Sequence, residues 1–154
     1  MKKTIYVAGP LFSDAERAYL ESLVEYLADK LGLDPHDDIF LPHRDAGDAG
    51  VNTMHDVFAA DVGAIANANV MIAWLDGMNV DAGTAVEIGI AYSSGKPVIG
   101  LLTDRRFWSG EMVGSINNMI RYGCAIIVKT IDDACDELTK LNKPIHHHDP
   151  IYRH

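Results

Sequence analysis

Basic residues are in short supply: 13 Lys and Arg stand against 22 Asp and Glu, a formal net charge of −9. A protein that tracks a phosphate backbone needs a basic face, so this balance argues against a binder of nucleic-acid polymer. It argues equally against docking on an anionic membrane surface. A small neutral ligand stays compatible, because a local site can differ from the global sign. Cysteine is scarcer still. Cys124 and Cys135 have neither metal-ligand nor redox-pair spacing, and Cys124, opening the apolar run 124–128, is expected as a buried structural thiol. Such sparing use fits a reducing cytoplasm, so a cytoplasmic protein is expected. Long apolar runs are missing too. None approaches the ~20 residues of a membrane span, and the N-terminal run breaks at Gly9-Pro10, too early for the apolar region of a signal peptide. The phosphate-binding signatures GxGxxG and GxxxxGK[ST] are absent, which argues against a dinucleotide or P-loop site. His36, His43 and His55 lack metal-ligand spacing with any acidic partner, and His146-His147-His148 reads as part of a flexible tail or as an artificial remnant. No metal site is expected.

What is present is an ordinary globular composition, 48% hydrophobic and 23% charged over 154 residues, which points to one domain. A domain of this size buries roughly 68–70% of its unfolded-chain surface, enough for a core without disulfides or metals. Short apolar runs alternate with longer amphipathic segments. Strands are expected over 4–8, 39–42, 70–75, 97–102 and 124–128. Helices are expected over 13–31, 53–67, 82–94, about 111–121, and 131–141, with loops over 43–51, 76–81 and 103–110. Ser13, with Glu16 three residues on, has the pattern of a capping box. The first helix shows Ala15, Ala18, Tyr19, Ser22, Leu23, Tyr26 and Leu27 at helical spacing; the second shows Met54, Val57, Phe58, Val62 and Ile65 on one face. Buried strands alternating with helices mean a parallel sheet covered on both faces, a flavodoxin-like three-layer α/β sandwich of about five strands. The domain is expected over 1–141, followed by an irregular tail over 142–154. Ligands of such sheets bind at the carboxyl ends of the strands.

The most informative stretch is 76–92. From Ala82 to Ser94 the only charged residue is Glu87. A helix apolar all round is expected to be buried, and an unpaired buried carboxylate is costly, so Glu87 lines a cleft or has a partner. The structural alternative is a buried ion pair. Asp81 stands at the expected helix start, where a cap alone would explain it. Gly83, Ala85 and Gly89 would let this helix pack tightly on the sheet. Gly9 permits close backbone approach, to a ligand or within an ordinary Gly-Pro turn. Phe12 could stack on a flat base. Tyr6, within the first strand, reads as a core tyrosine, and Asp61, among Phe58, Ala59, Ala60, Val62 and Ala64, as a solvated helix residue, unless a site recruits them.

Ala8-Gly9-Pro10-Leu11-Phe12 after the first strand, with Asp81-Ala82-Gly83-Thr84-Ala85-Val86-Glu87-Ile88-Gly89, resembles the nucleoside 2-deoxyribosyltransferase family over about residues 5–127. The resemblance implies transfer of 2-deoxyribose from one nucleobase to another, with 2′-deoxynucleosides and free bases as partners and no cofactor. Glu87 would be the nucleophile at C1′, forming a covalent deoxyribosyl-enzyme with overall retention. Tyr6 would orient Glu87, Asp81 would bind the sugar 5′-hydroxyl, and Asp61 would contact the base and relay a proton to it. Phe12 would pack on the base. Asn118, or alternatively Asn117, would come from a neighbouring subunit to complete the sugar site, implying a homo-oligomer. Arg44, in the variable loop after the second strand, is expected to contact the base. Two other readings compete. One is a 2′-deoxynucleoside 5′-monophosphate N-glycosidase, disfavoured because Asp14 and Glu16 would repel a phosphate near Gly9-Pro10-Leu11-Phe12-Ser13. The other is a non-catalytic nucleotide-binding module.

Overall fold

A computed structural model of the chain describes residues 5–47, 53–109 and 116–141. Five strands, β1 (Ile5–Ala8), β2 (Ile39–Phe40), β3 (Val70–Trp74), β4 (Val98–Leu101) and β5 (Ile126–Val128), pair in parallel in the order β2-β1-β3-β4-β5. Six helices accompany them: α1 (Asp14–Leu31), α2 (Met54–Asn67), α3 (Ala82–Ser93), α4 (Arg105–Ser109), α5 (Asn118–Gly123) and α6 (Ile131–Lys140). This is the flavodoxin-like α/β arrangement expected from the sequence.

The strand period of two divides the core. Ile5 and Val7 of β1 pack with Ile72, Ile99 and Leu101 under Leu23 and Leu27 of α1 and Leu138 of α6. Tyr6 and Ala8 point the other way, with Met71 and Ala73, toward Ile65 of α2 and Ile88 and Ala91 of α3. Tyr6 is thus delivered to the α2/α3 layer by its place in β1. Both cysteines are buried, and burial pushes the Cys124 thiol up to about 12.

Local signals set the helix ends. Ser13 and Glu16 form the expected capping box, and Thr53 forms another with Asp56. Gly32 ends α1 in the left-handed conformation at φ 65°.

Several expectations need correction. The buried stripe of α1 is Leu20, Leu23, Val24, Leu27 and Ala28, whereas Ala15, Ala18 and Ser22 are exposed. The stripe is rotated because the bulky aliphatic residues dominate it. Residues 43–51 do not read simply as loop. His43–Gly47 form a wide helical turn, because Asp45 reaches back to the Leu41 amide and Arg44 to the Ile39 carbonyl. The polar stretch 103–110 holds α4, anchored by the Trp108 indole donating to the Leu102 carbonyl. Of the helix expected over 111–121, residues 110–115 lie outside the described residues, as do the tail and its histidines, and the rest holds α5, capped by Asn117. α3 is not buried all round: Thr84, Ile88 and Ala91 are, while Val86 is 58% and Tyr92 64% exposed.

Gly100 of β4 faces the crowded side of the sheet. A Cβ there would lie 2.7 Å from Leu75 Cδ1 and 3.2 Å from Cys124 Sγ. Gly100→Ala is expected to cost about 1–3 kcal/mol of stability by overpacking. Chemical denaturation checks this, and an unchanged midpoint would show that the sheet face can yield.

Candidate active site

α3 begins where Asp81 turns the chain off β3. The Asp81 Oδ2 accepts from the Thr84 amide at 2.9 Å and from its hydroxyl at 3.2 Å, satisfying orphan donors of the first turn. Thr84, Ile88 and Ala91 then face the sheet. Glu87, beside that stripe, lines a cleft of about 480 Å³ between α2 and α3, whose walls include Met54, Phe58, Val62, Val86 and Ile90. That volume suits a small organic ligand. Asp61 of α2 lines the same cleft.

From beneath, the Tyr6 hydroxyl donates to Glu87 Oε1 at 2.6 Å. Burial drives the Glu87 carboxyl up to about 7, the negative charges of Asp61 and Asp81 add to that, and the Tyr6 bond pulls it back. Burial also takes the Asp61 carboxyl up to about 6, and its Oδ1 is buried without a hydrogen-bond partner. Tyr6 itself is pushed far above the usual phenol range, by burial first and then by Glu87, so it stays a donor. Two carboxyls in one apolar-walled cleft disfavour joint ionisation, and burial raises both, Glu87 the further.

The other expected site residues divide. Asp81 bears electrostatically on Glu87, although its Oδ2 is used by the cap. Phe12 is 77% exposed in the loop after β1. Gly9 is buried, and a Cβ there would meet Leu20 Cδ2 at 2.8 Å, so its small size serves packing whether or not a ligand also approaches. Arg44 is turned into its own turn: its Nη2 donates to the Ile39 carbonyl at 2.6 Å and to Asp45 Oδ2 at 2.7 Å. It does not line the cleft with Glu87. Asn118 is exposed at the start of α5, and the neighbouring Asn117 Oδ1 accepts from the Met119 amide. Neither asparagine lines this chain's own cleft.

Two residues of the site region escaped the sequence reading. Asp76, just after β3, accepts from the Thr103 amide at 2.6 Å, from the Thr103 hydroxyl, and from the Asp104 amide at 3.1 Å. It ties the loops after β3 and β4 together; an Asp directly after a buried strand was the available signal. Phe40 stacks on Tyr6, a contact that the two-residue period of β2 could have suggested. Among the described residues no group of histidine, cysteine and carboxylate side chains could hold a metal ion, and no helix is long and apolar enough to cross a membrane.

Comparison with known proteins agrees with this fold. The sequence profile of the nucleoside 2-deoxyribosyltransferase family matches residues 5–120. A conserved protein from Enterococcus faecalis V583 is 28% identical, covers 92% of this chain and 99% of its own, and superposes with a TM-score of 0.74. A 2-deoxyribosyltransferase from Bacillus psychrosaccharolyticus (24% identity, 86% and 90% coverage, TM-score 0.65) shares the fold. So does the CMP N-glycosidase BcmB of Clostridium botulinum (21% identity, 90% and 99% coverage, TM-score 0.58). Among proteins with curated functions, none has a matching sequence.

A raised carboxyl has a stability consequence. The Glu87 value lies near 7 in the folded chain against an ordinary 4.5, so the folded state holds that proton more tightly than the unfolded chain. Its contribution is fully present below the unfolded value and lost as pH rises through the folded one. Glu87→Gln is therefore expected to exceed wild type in stability by on the order of 2 kcal/mol at about pH 8, with the gap closing toward about pH 5. Thermal melts at the two pH values check this; a pH-independent difference would contradict it.

Proposed function

The chain belongs to the nucleoside 2-deoxyribosyltransferase family, and from that premise we propose that it exchanges the nucleobase of 2′-deoxynucleosides, with Glu87 as nucleophile. The observation that carries this reading is a single glutamate half-buried at a cleft and gripped by Tyr6. In the first step a Glu87 carboxylate oxygen attacks C1′. The C1′–N bond breaks, and its electron pair leaves with the base, which takes a proton from Asp61. In the second step a ring nitrogen of the incoming base attacks C1′ from the side the first base left, and its proton passes to the Asp61 carboxylate, restoring that acid. The ester bond to Glu87 breaks, the carboxylate is restored, and configuration is retained. Positive charge develops at C1′ in each step and is stabilised by the carboxylate beside it.

The remaining roles follow. Asp81 offers its second oxygen to the 5′-hydroxyl, and Phe12 packs on the base beside Gly9. Arg44 is left out of the site because its guanidinium is committed to Asp45 and Ile39. A neighbouring copy supplies Asn118 and covers the apolar side chains exposed on α2, α3 and α5, among them Met54, Phe58, Val86 and Met119. An exposed apolar surface of this kind fits an interface.

A nucleoside rather than a 5′-monophosphate is favoured by the loop after β1. Glu16 Oε2 already accepts from the Phe12 amide at 3.1 Å, the Ser13 amide at 2.7 Å and the Ser13 hydroxyl at 2.8 Å. Donors that could greet a phosphate are thus taken by an internal anion, and a second negative charge there would be repelled.

Incubation with deoxyinosine and adenine is expected to give deoxyadenosine and hypoxanthine, and Glu87→Ala is expected to lose this by about 10³-fold or more while staying folded. Deoxyinosine 5′-monophosphate is expected to be a poor donor. Hypoxanthine without deoxyadenosine would instead indicate a hydrolase, and no reaction a binding module. Near-normal exchange by Glu87→Ala would overturn the assignment of the nucleophile.

A further inference from the structure

We propose that Phe40 is a positioning residue for the nucleophile, a flat support clasped from outside by the Arg44–Asp45 pair that keeps the Tyr6 hydroxyl on Glu87. The inference rests on the reading of Glu87 as the reacting carboxylate. Tyr6 and Phe40 are register partners across β1 and β2. Their rings lie nearly parallel, 13° apart, with centroids 5.4 Å from each other. A tyrosine hydroxyl moves when the side chain swings about χ1, and its proton prefers the plane of the ring. A ring lying flat against Tyr6 on the β2 side restricts that swing and fixes that plane. The support has to be held in its turn, because β2 is two residues long and stands at the edge of the sheet.

The clasp supplies this. Arg44 Nη2 donates to the Ile39 carbonyl at 2.6 Å, and the Leu41 amide donates to Asp45 Oδ2 at 2.8 Å. These are the peptide groups on either side of Phe40. Arg44 and Asp45 are joined by two further bonds, Nε to Oδ1 and Nη2 to Oδ2, each 2.7 Å. Such a fork is geometrically stiff. A chain of contacts therefore runs from the ion pair through the β2 backbone and the Phe40 ring to Tyr6, and from Tyr6 to Glu87.

The test reads Glu87 in two ways. One is steady-state exchange between deoxyinosine and adenine. The other is a carboxyl NMR titration of Glu87 without substrate, which stands whatever the reaction proves to be. The groups acting on Glu87 are Tyr6, Asp61 and Asp81, and of these Tyr6 alone lowers its pKa. Phe40→Leu is expected to raise the Glu87 midpoint, move the acid limb of the rate profile upward, and reduce kcat about tenfold with KM within about twofold. Phe40→Tyr, which keeps the ring, should restore both readouts. In a Tyr6→Phe background, adding Phe40→Leu should change kcat by less than about twofold, because both substitutions act on one hydrogen bond. Should Phe40→Leu fail to fold, Arg44→Lys carries the same titration, with a smaller upward shift expected from a loosened clasp. An unchanged Glu87 midpoint in the folded variants, or losses from Phe40→Leu and Tyr6→Phe that multiply, would overturn the proposal. If Glu87→Ala still exchanges bases, the reading of the nucleophile fails, while the titration still decides the role of Phe40.

Discussion

A carboxylate held in an apolar wall is unfavourable unless something compensates for the lost water, and here the compensation is one phenol hydroxyl 2.6 Å from Glu87. Tyr6 can give it because β1 lies inside the sheet and turns alternate side chains to opposite layers. α3 can receive it because Asp81 sets the first turn and so the face on which Glu87 emerges. The hydrogen bond thus depends on the register of the sheet, the capping of a helix and the packing of two layers. Each of these also builds the core.

The compensation is incomplete, and that suits the chemistry. Burial and two nearby carboxylates hold Glu87 close to neutrality in its acid–base behaviour, rather than locked in one form. Asp61 follows in the same direction through burial. The two carboxyls titrate close together, so moving one proton from Glu87 to Asp61 costs little and yields the attacking anion and the proton donor that the reaction needs. The price is stability at higher pH, an instance of a functional site working against the fold that carries it.

Much of this was legible in the residues. A single Glu in an otherwise uncharged helical run, with Asp81 six positions before it, announces an unusual carboxylate. Alternating apolar runs announce the parallel sheet. Other features were hidden for physical reasons. An apolar stripe on α3 reads the same whether its own core or a second copy covers it, so the exposure of Val86 and Tyr92 could not be foreseen. Arg44 looked available for a ligand, because its capture depends on a turn in which Asp45 and the Ile39 carbonyl meet it. The α4 segment was masked by its charges, since Phe107 alone packs against the core while Trp108 is held by the Leu102 carbonyl and Lys129. The stacking of Phe40 on Tyr6 required the strand register as well as the pattern.

The central claim is that the Glu87 carboxylate forms a bond to the anomeric carbon. Rapid acid quenching of the enzyme with a deoxynucleoside donor and no acceptor base, followed by peptide mass mapping, tests it most directly. A gain of one deoxyribosyl group is expected on the peptide containing Glu87, removed when an acceptor base is added before the quench. Turnover with the group on another side chain, or with no covalent species in the wild type, would contradict it.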